Sequence, residues 1–173
     1  MTRRTNATVA GIAFLVYIAA GIATMALANR GNAAAVLTVA TSFCALVLGV
    51  TLYAITRDED RDLALLALLC RVVESVPGHK GGAIFFAIGS TIFCWLLLRG
   101  RMIPTALAWL GVIASALMVV LLLSQRAGFG AAGSNWSSSA TWIVWLPLLV
   151  FEVTFAFWLI VKGIAVQERR NTA

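Results

Sequence analysis

Charged residues are scarce in this sequence. They make up 12% of the 173 residues, whereas a soluble domain averages about 25%. Apolar residues make up 61% and fall in runs of roughly membrane-spanning length, separated by short polar stretches. This composition excludes an ordinary soluble protein and predicts a single polytopic membrane domain over residues 1–173. The net charge of +6 does not indicate nucleic acid binding, because the basic residues stand singly or in pairs between apolar runs, where they act as topology signals.

Metal ligands and catalytic motifs are scarce as well. The cysteines Cys44, Cys70 and Cys94 lie in apolar runs without CxxC spacing, and His79 is the single histidine. This pattern predicts no metal site, no haem held by two histidines and no HExxH protease. Residues 128–133 match GxGxxG, but they follow a membrane helix and not a strand, so they predict no dinucleotide site. We therefore expect no catalytic residues, no enzyme activity and no cofactor.

Six apolar runs predict six helices. Their predicted bounds are 8–27, 33–55, 63–77, 82–98, 104–124 and 140–164. The third run is the shortest and carries two opposite charges, Arg71 and Glu74. The first contains Gly11, a small residue suited to close contact with another membrane helix. The predicted fold class is all-α, a polytopic transmembrane helical bundle of six spans with a short charged third helix.

The distribution of basic residues between the two sides of the membrane indicates whether the third segment crosses it. If it does, nine Lys and Arg residues fall on the cytoplasmic side and three on the other; if it lies on the surface, the numbers are six and six. The positive-inside rule therefore favours six spans with both termini in the cytoplasm. Residues 63–77 reach only about 22 Å of a hydrocarbon core roughly 30 Å thick. Local thinning of the bilayer, or continuation of the helix into the loops, is then required.

Three charges are predicted to lie inside the membrane. Arg71 and Glu74 share one helical face, and an unpaired charge at the bilayer centre costs at least about 2.5 kcal/mol. The helical rise per residue places both at nearly the same depth as Glu152 in the last helix. Because Arg71 is the basic residue at that depth, we expect an Arg71–Glu152–Glu74 cluster that joins the third and sixth helices. Pairing of Arg71 with Glu74 alone stays open.

Three segments carry a resemblance to a known family: LALLALLCRVVESV, AIFFAIGSTIFCWLLLRGRMIPTALAWLGVIASAL and PLLVFEVTFAFWLIVKGI. In order and spacing they resemble the bacterial integral membrane family called domain of unknown function 4386. The most specific matches are the Arg71–Glu74 pair, Phe85 and Phe86 with Arg99 and Ile103-Pro104, and Glu152 with residues 158–163. The chain departs from many members in its short PGHKGG segment after the third helix. The resemblance implies a multi-pass helical protein of the bacterial cytoplasmic membrane and implies no activity.

Three interpretations of the charged cluster remain open. It is a structural lock between helices three and six, a proton or ion relay through Glu152 and Glu74 in a small transporter, or part of a site for a lipid or apolar ligand. In the last case the aromatic residues expected to line the cavity are Phe85, Phe86, Phe155, Trp158 and Trp136, the last of these from a capping loop over 125–139. The expected partners are membrane lipids, and an apolar ligand or a second copy of the chain are further candidates.

Overall fold

The computed structural model describes residues 2–27, 29, 31–79, 81–128 and 139–164, and within 139–142 it describes the backbone alone. Over these residues the secondary structure consists of six helices with no strand, so the predicted all-α fold class is confirmed. The helices are α1 (Arg3–Ala26), α2 (Gly31–Thr56), α3 (Arg61–Glu74), α4 (Gly82–Arg99), α5 (Thr105–Arg126) and α6 (Ser139–Val161). Of the capping loop predicted over 125–139, residues 129–138, which include Trp136, lie outside the described residues, and both ends of the range belong to helices α5 and α6.

The six helices form a closed ring in chain order. Each helix contacts its neighbours in sequence, α6 returns to contact α1, and α2 also contacts α4. The α2–α3 turn is held to the start of α1 by an Arg3–Asp58 ion pair and to the end of α4 by an Arg99–Asp60 ion pair of 3.7 Å. We call this end of the bundle the basic end. The opposite end, which holds residues 75–79 and 81 of the α3–α4 turn, is the far end.

Within the described part of the chain, five helices are long and apolar enough to cross a membrane, namely α1, α2, α4, α5 and the 143–161 part of α6. α3 is the exception, with 14 residues that cover about 21 Å. Its start is fixed by Asp60, whose carboxylate accepts a hydrogen bond of 3.1 Å from the Leu63 backbone N–H. It ends at Glu74, earlier than the predicted residue 77, because Pro77 disfavours a helical conformation for the residue before it.

The short α3 nevertheless runs antiparallel to α4. Asp60 at its start pairs with Arg99 at the end of α4. At its other end, a Cβ added to Gly82 at the start of α4 would lie 3.4 Å from the carbonyl oxygen of Glu74. The two helices therefore form a hairpin, and α3 takes its place in the ring as one of the six packed helices.

Small residues allow α3 to pack closely between α2 and α4. Ala64 and Ala67 of α3 are completely buried. A Cβ added to Gly49 of α2 would lie 2.9 Å from the Arg71 Cβ, and one added to Gly89 of α4 would lie 3.0 Å from the Cys70 Cβ. The opposite face of α3 exposes large apolar side chains, Leu65, Leu66, Leu69 and Val72. This helix is therefore packed on one face and suited to lipid on the other, as expected of a membrane helix.

Candidate functional site: a charged network and a groove that ends at Glu152

Arg71 is held inside the bundle by contacts with three side chains, Glu74, Ser90 and Phe86. Its side chain is 1% exposed. The NH1 group donates a hydrogen bond of 2.8 Å to Glu74 Oε2, and NH2 donates one of 3.3 Å to Ser90 Oγ on α4. The guanidinium carbon lies 4.8 Å from the ring centroid of Phe86, in cation–π geometry. The Nε atom is buried without a hydrogen-bond partner among the described residues.

The second carboxylate oxygen of Glu74 also accepts a hydrogen bond. Tyr17 of α1 donates a hydrogen bond of 2.6 Å from its hydroxyl group to Glu74 Oε1. Tyr17, Glu74, Arg71 and Ser90 thus form one chain of contacts, which we call the charged network. It joins α3 to α1 and α4. Since both ionised groups are paired and hydrogen-bonded, their burial meets the condition under which charges are tolerated away from water.

The structure does not contain the predicted ion pair between Arg71 and Glu152. Among the described residues Arg71 pairs with Glu74, and none of its nitrogen atoms lies within 4.0 Å of the Glu152 carboxylate. The predicted lock between helices three and six is also absent, because no Cα atom of α3 lies within 8 Å of the described part of α6. The physical reason is the ring order, which places α1 next to α6 and leaves α3 between α2 and α4.

Two residues of the charged network, Tyr17 and Ser90, were not predicted from the sequence. Tyr17 did carry a usable signal, because it stands in the middle of the first apolar run. A buried tyrosine hydroxyl needs a hydrogen-bond partner, and a buried carboxylate near the same depth would satisfy that need. Ser90 carried no comparable signal, since serine is common in membrane helices, where its small side chain allows close packing.

Glu152 forms no bond to the charged network, although it lies close enough to Arg71, Glu74 and Tyr17 to interact with them electrostatically. It is 6% exposed, and it takes part in no ion pair or hydrogen bond with the other described residues. It lies at one end of a cavity of about 260 Å³ between α1 and α6, which we call the α1–α6 groove. The groove is lined by Tyr17, Ile18, Gly21, Ile22, Met25, Thr41, Trp145, Leu146, Leu149 and Glu152. Its rim residues Ile22, Met25 and Leu146 are about half exposed, so the groove opens on the lipid-facing surface of the bundle.

A second cavity opens at the far end of the bundle. This vestibule has a volume of about 340 Å³ and is lined by side chains of α1 and α2, by Glu74 and by the α3–α4 turn. Its polar lining includes Thr24, Thr38 and Thr41, whose hydroxyl groups donate to carbonyls of their own helices and keep acceptor lone pairs. The vestibule and the groove share Tyr17, Gly21, Thr41 and Trp145. The two spaces therefore adjoin, with Glu74 beside one and Glu152 beside the other.

The aromatic residues predicted to line a cavity are found in different places. Phe86 lines the vestibule and stacks between Tyr17, at 6.3 Å between ring centroids, and Trp145, at 6.2 Å. Phe85 packs against the His79 ring. Phe155 is buried in the core against Phe14 and Phe151, and Trp158 lines a separate cavity at the basic end. Trp136 lies outside the described residues, while Trp145 was not among the predicted lining residues.

The groove does not continue toward the basic end. One and two helical turns beyond Glu152, Ala156 and Leu159 are completely buried, and Phe155 is 1% exposed. These side chains belong to the apolar core of the bundle. Glu152 therefore stands at the closed end of a space that is open toward the far end and toward lipid.

These features define a multi-pass α-helical membrane protein with an intramembrane cavity and an adjoining charged network. The chain matches the family model described as Domain of unknown function (DUF4386) over residues 77–163, just over half of its length, and it belongs to that family. The matched range contains Phe85, Phe86, Glu152 and Trp158 and begins after Arg71 and Glu74. No curated protein sequence and no solved structure matches the chain significantly.

Proposed function

We propose that this protein binds an amphiphilic molecule in the α1–α6 groove, with the apolar part of the ligand between α1 and α6 and a positively charged head group at Glu152. The observation that carries the proposal is the buried Glu152 carboxylate, which forms no hydrogen bond or ion pair with another described residue and borders the groove. The proposal assigns Arg71 and Glu74 to structure and Glu152 to binding. It involves no catalysis.

The physical argument starts from the cost of an unpaired charge. An ionised carboxylate removed from water is strongly disfavoured unless a counter-charge contacts it. Arg71 attracts Glu152 only from beyond ion-pair distance and is itself paired with Glu74, so Glu152 still gains from a proton or from a second cation. The groove supplies the other half of a binding site. Its walls are mainly apolar, and the aromatic rings of Tyr17 and Trp145 add faces that attract cations. Its opening between α1 and α6 allows a molecule dissolved in the bilayer to enter sideways.

Replacing Glu152 by glutamine tests the proposal, because the amide keeps the size of the side chain and removes the charge. We expect Glu152→Gln to weaken binding of dodecyltrimethylammonium at least tenfold, equivalent to about 1.4 kcal/mol. Affinity can be measured by isothermal titration of the protein in lipid nanodiscs, with empty nanodiscs subtracted. Dodecanol, which has the same chain without the charge, should bind the two proteins equally.

A second variant tests the groove independently of the charge. A Cβ added to Gly21 meets nothing within 4 Å, so Gly21→Leu should fill the groove without disturbing the helices. We expect this variant to lose binding of both probes. Glu59→Gln, at the basic end, is the matched control and should bind as the unaltered protein does. Equal affinity of all four proteins for dodecyltrimethylammonium would refute the proposal.

A proton or ion relay through Glu152 and Glu74 is the second candidate. The observation that favours it is that the groove and the vestibule share Tyr17 in their linings. The two cavities together extend from the far end of the bundle past Glu74 toward Glu152. The buried apolar core beyond Glu152 weighs against a continuous path across the membrane. Proton flux into liposomes that contain the protein, abolished by Glu152→Gln, would favour the relay over binding alone.

We further propose that the protein lies in a bacterial cytoplasmic membrane with the basic end and both termini in the cytoplasm, as the positive-inside rule favours. His79 at the far end and Arg57 at the basic end are both exposed, so they suit accessibility labelling. In a background with Cys44, Cys70 and Cys94 replaced by alanine, His79→Cys should react with an impermeant maleimide added to intact cells. Arg57→Cys should react only after the membrane is permeabilised. The reverse pattern would overturn the assigned orientation.

A further inference from the structure

A third cavity lies at the basic end of the bundle, away from the α1–α6 groove. Its volume is about 370 Å³. It lies between the α4–α5 turn and the end of α6, and its lining residues are Arg101, Met102, Ile103, Pro104, Trp158, Lys162, Gly163 and Ile164. Lys162 directly follows the apolar run that ends α6 at Val161. The cavity therefore lies where a membrane helix passes from the hydrocarbon core to the head-group region.

Two cations border this cavity without carboxylate partners. Arg101 and Lys162 are exposed, and neither forms an ion pair with another described residue. Three acidic residues of the neighbouring α2–α3 turn are paired elsewhere or lie outside the cavity. Asp58 pairs with Arg3, Asp60 pairs with Arg99, and the Glu59 carboxyl group lies against Gly100 outside the cavity lining. The cavity thus presents net positive charge above an apolar floor.

The backbone of Arg101 adopts a conformation that is unfavourable for arginine. Its φ angle is 48°, the only positive φ angle among the described residues other than glycine. The N–H groups of Arg101 and Met102 bond to the carbonyls of Leu98 and Leu97, which places Arg101 in the left-handed position that ends a helix and usually holds glycine. An arginine there is strained relative to glycine. A function for its guanidinium group would explain why the strain is kept.

The chemistry of the cavity matches one end of a phospholipid. Basic pockets between membrane helices bind anionic lipid head groups, and a guanidinium group recognises phosphate oxygens through paired hydrogen bonds. Met102, Ile103 and Ile164 offer an apolar surface for the start of an acyl chain, and Trp158 is suited to the membrane interface. We propose that this cavity binds the head group of an anionic phospholipid, with its phosphate between Arg101 and Lys162.

The proposal is independent of ligand binding in the α1–α6 groove and is tested with separate variants. Arg101→Asn removes the charge but keeps a residue that tolerates the left-handed conformation, and Lys162→Gln changes an exposed side chain after a helix end. In native mass spectrometry of the detergent-solubilised protein, we expect the double variant to retain phosphatidylglycerol at least tenfold more weakly. Arg57→Gln, a charge loss at the same end outside the cavity, should retain it normally, and Arg101→Lys should restore part of the loss.

Several results would overturn this inference. Phosphatidylglycerol retained equally by the double variant and the unaltered protein would show that the two cations do not hold the lipid. Phosphatidylcholine retained as strongly as phosphatidylglycerol would show that the site does not select an anionic head group. Competition by millimolar inorganic phosphate would identify a free-phosphate site instead of a lipid site. Cooperative thermal unfolding of each variant in the same detergent checks that the variants are folded. Lys162→Gln alone, which leaves the backbone at Arg101 unchanged, should weaken retention of phosphatidylglycerol by less than the double variant does.

Discussion

Replacing Arg71 by methionine is expected to destabilise the protein by on the order of 3 to 5 kcal/mol, because one partner of a buried ion pair is removed and the other is left uncompensated. Glu74 would lose its counter-charge and keep only the hydrogen bond from Tyr17. The guanidinium contacts with Ser90 and Phe86 would be lost at the same time. Thermal unfolding of the purified protein in detergent, followed by circular dichroism, measures the effect.

The double variant Arg71→Met/Glu74→Leu separates the loss of the pair from the loss of packing. Apolar residues of similar volume can replace a buried ion pair at little cost, so the double variant should recover much of the stability. Glu152→Leu is the contrasting control. Because Glu152 forms no hydrogen bond or ion pair with another described residue, its replacement should be mild or stabilising. If Glu152→Leu destabilised the protein as much as Arg71→Met, the separation between a structural network and a binding carboxylate would be wrong.

The partners of Arg71 illustrate what the sequence could predict. Residue spacing along a helix and the rise per residue correctly indicated that Arg71 and Glu74 share a face and are buried together. The same reasoning gives depth along the bundle axis but no position around it. Glu152 can therefore lie at a similar depth and still belong to another part of the ring. Contact between α1 and α6 depends on how all six helices pack, and no single run of residues encodes that order.

The helices themselves were easier to predict than the cavities. Runs of apolar residues bounded by charged or glycine-containing turns gave the six elements with shifts of a few residues at their ends, since helix ends depend on local caps such as Asp60. The α1–α6 groove depends on the space left between side chains from three helices. Its residues Gly21, Thr41 and Leu149 are ordinary in membrane helices and carry no signal in isolation. Tyr17 and Glu152, as polar groups in apolar runs, are the members of the groove that a sequence can single out.

Replacing Gly11 by valine is expected to destabilise the protein by about 1 to 3 kcal/mol or more, as inserting atoms into a packed site does. A Cβ at this position would lie 2.7 Å from the Ala156 carbonyl oxygen and 2.7 Å from Ile160 Cγ1. The isoleucine can change rotamer, but the carbonyl belongs to the backbone of α6 and cannot yield without moving that helix. The substitution should therefore force α1 and α6 apart at the contact that closes the ring.

Gly21→Val provides the matched control, because it makes the same chemical change in the same helix at a position where the added Cβ meets nothing within 4 Å. Its effect on thermal unfolding should stay within about 0.5 kcal/mol. The two variants should also differ in how they affect the groove. Gly21→Val narrows it directly, whereas Gly11→Val acts through Ala156, one helical turn from Glu152, and shifts that carboxylate relative to Tyr17. Equal stability of the two variants would mean that the close contact between α1 and α6 at Gly11 does not stabilise the helical ring or fix the shape of the groove.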